Sequence, residues 1–136
     1  MILESAQLLC TALNVVVGEQ VTPYKTTHIN HPCSIWVRFS YENWYYVYTL
    51  MFNLQTEWQL RWGHNKMHKS IELLRGFNIG GLAHTILPHK GFTPPALAMP
   101  EHCVVQGNAV ESYRKYYREE KKHLHKWTNR DVPYWL

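Results

Sequence analysis

The stretch from residue 41 to 62 constrains this chain more than any other. Trp44, Val47, Met51, Leu54, Trp58 and Trp62 recur every three or four residues, and Tyr48 and Leu50 widen the stripe. Gln55, Gln59 and Arg61 fall mostly off it. An α-helix brings that spacing onto one face. Gly63 supplies the stop, because glycine accepts the left-handed geometry in which many helices end. A stripe this wide predicts a core helix first and a ligand platform second.

Two more helices follow from the same reasoning. Ile2, Ala6, Leu9, Leu13 and Val16 make an apolar face that ends at Gly18, while Glu4, Gln7 and Thr11 make a polar stripe on another face. No capping residue precedes this helix, so the chain is expected to lack a short N-terminal segment. The last helix should start at Asn108, with Glu111 three residues on as the acid of a capping box, and run to Asn129. Val110, Tyr113, Tyr117, Leu124 and Trp127 would share one of its faces.

Between these helices, Thr22-Pro23 and His31-Pro32 break any period over 19–40, and Ser34 to Arg38 reads as a short strand or, in preference, as the lead into a helix. A short helix is expected near Lys69 to Arg75. Residues 76–107 contain Gly80-Gly81, Pro88, Pro94-Pro95 and Pro100 and read as mostly irregular. The expectation is one mainly α domain over 1–136, with three principal helices and long irregular connecting loops.

Composition narrows the class. With 136 residues and 46% hydrophobic content, the chain can bury a core without disulfide staples. No apolar run approaches about 18 residues, so no membrane partner is expected. Three cysteines, Cys10, Cys33 and Cys103, form no C-x-x-C pair. That pattern fits a reducing, cytoplasmic setting rather than a disulfide framework, and Cys10 and Cys103 read as small buried thiols.

Charge is uneven. Over 113–130, seven cations (Arg114, Lys115, Arg118, Lys121, Lys122, Lys126, Arg130) stand against Glu119 and Glu120, a local net of +5. The other segments hold seven basic and eight acidic residues, a net of −1. Tyr113, Tyr116, Tyr117, Trp127, Tyr134 and Trp135 lie among the cations. Cations hold phosphates and flat rings stack on exposed bases, so DNA is the expected partner. A merely solvated cationic face above a buried aromatic one is the plainer alternative.

Glu4 is the expected catalytic acid, with Gln7 beside it on the stripe. Burial would raise its pKa and the helix N-terminus would lower it, and the two effects oppose each other. His28, Asn30, His31 and Arg38 are expected at a pocket rim. The cluster His28 to Cys33, with His64 or His68, could instead hold zinc, although turn-forming residues explain it without metal. No cofactor or metal is called for.

Several stretches carry a resemblance. These are Ile2 to Leu9, His28 to Arg38, Phe92 to Pro100, and Tyr113 to Tyr117 through Lys126 to Thr128. Together they resemble a family of small phage and bacterial proteins whose members begin with a short extra segment. That family supplies no activity to carry over.

The order of elements is also similar to the endonuclease V-type pyrimidine-dimer DNA glycosylases. These are small, basic, all-α proteins with an aromatic, basic C-terminus. The resemblance places their helix-borne acid on Glu4, sets Arg61-Trp62-Gly63 at the end of their middle helix, and matches their late Tyr- and Lys-rich segment to Tyr113 to Trp127. It implies a terminal α-amine that attacks the sugar C1′ to form an imine, assisted by the carboxylate. The amine-bearing segment is the part this sequence is expected to lack; the nitrogen of Met1 lies one helical turn, about 5 Å, from Glu4.

The function expected is therefore DNA binding with glycosylase and AP-lyase chemistry. Glu4 and Gln7 would be catalytic. His28, Asn30, His31, Arg38, Arg114, Lys115, Arg118, Lys121 and Lys122 would contact DNA. The alternatives are a non-catalytic nucleic-acid-binding accessory protein, a zinc-organised domain, and a homo-oligomeric interaction module.

Overall fold

A computed structural model describes residues 1–136. The chain is all-α, with six α-helices joined by loops and no strand. No helix is long and apolar enough to cross a membrane. The chain forms two compact units, Met1–Thr93 and Pro94–Leu136.

In the first unit, α1 (Ile2–Val17) buries Ile2, Ala6, Leu9 and Leu13 at the spacing its sequence predicts, but Val16 is exposed. Gly18 closes it at φ 90, donating its N–H to Asn14 O at 2.8 Å. The following loop is tied back to α1 by side chains. Asn14 Nδ2 donates to Tyr24 O, and its Oδ1 accepts from Val21 N and Thr22 Oγ1, all at 3.0 Å. Thr11 is buried and accepts from Thr27 N at 3.1 Å. The upper part of the polar stripe is therefore structural.

Ser34 to Arg38 is neither a strand nor only a lead into a helix but the body of one, α2 (Pro32–Phe39). Ser40 breaks the two apart with extended backbone and caps α3 (Tyr41–Trp62), accepting from Asn43 N at 3.1 Å. Trp44, Val47 and Met51 form the buried face of α3, whereas Trp62, at the far end of the stripe, is 59% exposed. Gln55 is not off the stripe: it is buried, and its Oε1 accepts the His68 N–H at 2.7 Å.

The short helix expected near 69–75 is α4 (Lys69–Gly76). A further helix, α5 (Ile79–Ile86), occupies part of the stretch expected to be irregular. Gly80-Gly81 suggests a breaker, yet both glycines lie inside the helix, Gly81 so close to the Asn78 side chain that a Cβ there would come within 2.8 Å of it and Asn78 would have to shift. Ile79, Ala83 and Leu87 complete a core of Leu9, Leu13, Trp44, Met51, Ile71 and Leu74.

The second unit contains a 3₁₀ turn at Glu101–Cys103, α6 (Ala109–Glu120) and a second 3₁₀ turn at Lys122–Leu124. Asn108 caps α6 by accepting from Glu111 N at 3.0 Å, as the capping-box spacing predicts. The helix stops at Glu120 rather than Asn129. His125 ends it: its ring nitrogen engages Tyr117 O at 2.9 Å and its ring stacks on Tyr117 at 4.8 Å. The expected apolar face is broken accordingly, with Val110 and Leu124 exposed.

Candidate functional site

The lower half of the α1 polar stripe faces a cleft. Glu4, Gln7, His28 and His31, singled out in the sequence on separate grounds, line one cavity of about 540 Å³ with Met1 and Cys33. The turn that delivers the histidines is built locally. His28 takes a left-handed φ of 48 and its carbonyl accepts the His31 N–H at 3.0 Å. His31 then caps α2, its Nδ1 accepting from Cys33 N at 3.1 Å, which leaves the proton on Nε2. Pro32 at the first helical position has no N–H to satisfy.

Arg38 does not line the cleft. Its Nη1 donates to Ile29 O at 2.7 Å and to Ser34 Oγ at 3.3 Å, so it braces the turn. Asn30 is exposed and also outside the lining.

Glu4 sits with Oε2 2.6 Å from the Met1 amino nitrogen. The hydrogen bond from that amine, and then one from the backbone, hold its carboxyl below the usual value of 4.5, while slight burial opposes them. The opposing influences on Glu4 thus resolve toward ionisation. An ionised carboxylate at neutral pH starts as a proton acceptor or a cation-stabilising group, not as a general acid.

The zinc-like cluster does not close. The one trio of metal-type donors that converges, to within 4.8 Å, lies elsewhere, at His102, Cys103 and Glu119. His64 and His68 use Nδ1 to accept from Lys66 N and Ser70 N, each at 3.1 Å, and flank the Trp58 ring. With His31, they show one reason the chain is rich in histidine: three of the nine receive backbone N–H groups at turns and helix starts. Cys33 is the cleft residue that sequence reasoning placed only in a metal cluster. Its position two residues after His31, past a helix-starting proline, was the available signal.

In the second unit the cations fall into distinct settings. Arg114 lies over the Tyr134 and Trp135 rings at 5.7 and 5.5 Å, and Lys121 over the Tyr116 ring at 5.0 Å. Arg118 is engaged at both ends of its guanidinium, with Nη2 2.6 Å from Glu111 Oε1 and Nη1 donating to Trp135 O at 3.0 Å. It is a tether for the C-terminal tail. Lys115 is half-buried and Lys122 exposed. Compared with known protein families, with curated proteins and with solved structures, the chain matches none.

Proposed function

We propose that the chain binds DNA and acts on a damaged or abasic nucleotide as a glycosylase/AP lyase. The observation that carries this reading is the ionised carboxylate of Glu4 in a cleft that also holds Gln7, His28 and His31. In the chemistry that the resemblance implies, a terminal α-ammonium passes a proton to Glu4, and the freed amine adds to the C1′ aldehyde of an abasic sugar. Glu4 returns the proton to the departing hydroxyl, water leaves, and a cationic imine forms beside the regenerated carboxylate, which stabilises it. Loss of a C2′ proton then expels the 3′ phosphate. Gln7, His28 and His31 offer hydrogen bonds to the sugar and its flanking phosphates.

The cations and rings of the second unit support DNA as the partner. Arg114, Lys115, Lys121 and Lys122 would hold phosphates, and rings such as Tyr134, 90% exposed, would stack on an unpaired base. Three cysteines, an odd number with no C-x-x-C pair, support a reducing, cytoplasmic setting.

Borohydride trapping on an abasic-site duplex tests the reading. A covalent adduct through a terminal amine is expected, and Glu4→Gln should slow its formation by about 100-fold, the usual scale for a proton-transfer group. No adduct, together with equal strand-cleavage rates for Glu4→Gln, removes the enzymatic reading. The second reading, a non-catalytic nucleic-acid-binding protein, is favoured by the layering of Arg114 and Lys121 on rings, which needs no cleft. It requires steeply salt-dependent DNA binding without turnover.

A further inference from the structure

The 3₁₀ turn Glu101–Cys103 packs against α6 and brings together a set of donors that neither reading of the cleft uses. Ligand atoms of His102, Cys103 and Glu119 all lie within 4.8 Å of one another. The His102 Nε2 is 2.7 Å from Glu120 Oε1 and 3.9 Å from Glu119 Oε2. One imidazole edge therefore meets two carboxylates beside a thiol.

The electrostatics of the group call for a cation. Glu119 and Glu120 are adjacent like charges in the last turn of α6, the negative end of the helix dipole, where carboxylates are disfavoured. Cys103 is fully enclosed next to them. A divalent ion would neutralise the carboxylates and favour the thiolate.

We propose that His102, Cys103 and Glu119 bind one divalent transition-metal ion of the zinc class, with the fourth position open to water. Mixed nitrogen, sulfur and oxygen donors are what such ions take, four at a time in tetrahedral geometry. Ligands about 2.0–2.3 Å from such an ion stand about 3.5 Å apart, so the trio needs to close by about 1 Å. On binding, the Cys103 thiol gives its proton to solvent, and the ligating ring nitrogen of His102 is the unprotonated one, any proton it carried also passing to solvent. The ion would fasten 101–103 to the end of α6. This site is independent of the cleft and of DNA.

The test is titration of the whole chain, stripped with chelator, with Co²⁺ and then Zn²⁺. One equivalent of Co²⁺ should bind with tetrahedral visible bands and a thiolate-to-cobalt charge-transfer band, and Zn²⁺ should displace it. The charge-transfer band should vanish in Cys103→Ser and persist in Cys33→Ser. Because Cys103 is enclosed, Cys103→Ser can fail to fold; His102→Gln and Glu119→Gln change exposed side chains and should each weaken binding at least about tenfold. The proposal is overturned by the absence of stoichiometric binding, by unchanged affinity in both exposed variants, or by a band that depends on Cys33 instead.

Discussion

Met1–Thr93 and Pro94–Leu136 hold themselves together by different means. The first unit encloses Leu9, Leu13, Trp44, Met51, Ile71 and Leu74 completely, and α1 and α3 pack directly on one another. In the second, the fully buried residues are Cys103 and Ser112, neither of them a large apolar group. Its order comes from directional ties. Ser112 Oγ accepts from Val105 N at 2.8 Å and lies 2.7 Å from Asn108 O, and the Tyr113 hydroxyl bonds Ala96 O. Apolar burial is indifferent to pH and modest salt, whereas ion pairs and cations over rings are not. A cleft hung on α1 is thus held by a framework that conditions barely touch, while the cationic surface belongs to a unit whose shape responds to them.

The largest test of that contrast is Trp44→Ala. The indole is fully buried and its N–H donates to Leu9 O at 3.1 Å, joining α3 to α1. Removing it should cost about 3–5 kcal/mol, read as a lower denaturant midpoint. A loss under 1 kcal/mol would mean that the first unit does not depend on its core.

Asn43→Ala comes next. Its Nδ2 donates to Trp36 O at 2.9 Å and to Thr93 Oγ1 at 2.8 Å, and its Oδ1 accepts from Thr93 N at 2.9 Å. These bonds hold the extended segment that leaves α5. The expected cost is about 1–3 kcal/mol, with faster amide exchange at Thr93. A cost equal to that of Trp44→Ala would erase the distinction between core and tie within this unit.

The same contrast explains what could be read from the sequence. The all-α class, α3 with its stop at Gly63, and the cap of α6 at Asn108 are encoded in local periodicity and cap chemistry, which the sequence carries directly. The missed helix α5 was hidden because Gly80-Gly81 reads as a turn, whereas Gly80 lies against the Tyr48 ring and Gly81 against the Asn78 side chain. The early end of α6 was hidden because the His125 ring, five residues beyond the helix, takes the Tyr117 carbonyl. In the cleft, the polar stripe of α1 gave Glu4 and Gln7, and the turn-rich cluster gave His28 and His31. That these share one cavity depends on Asn14 and Thr11 folding the loop back, which no local pattern states. Arg38 and Arg118 read as phosphate contacts, because a sequence shows a cation without showing which carbonyl it already serves.

The smallest effect probes the tether directly. Arg118 holds Glu111 below the usual carboxylate value of 4.5, chiefly by a hydrogen bond, with help from its charge and that of Arg114. A carboxyl whose folded pKa is depressed adds stability that is fully present above its unfolded value and is lost as pH falls through the folded one. Acidification below about 4.5 should therefore slacken Arg118 and, with it, the bond to Trp135 O. The indole resonance of Trp135 should shift over that range, and the shift should disappear in Glu111→Gln. Signals from the buried indole of Trp44 should stay flat until the whole chain unfolds. A Trp135 titration that persists unchanged in Glu111→Gln would show that the tail is held by its rings over Arg114, and that the second unit is less dependent on charge pairs than its scarcity of buried apolar groups implies.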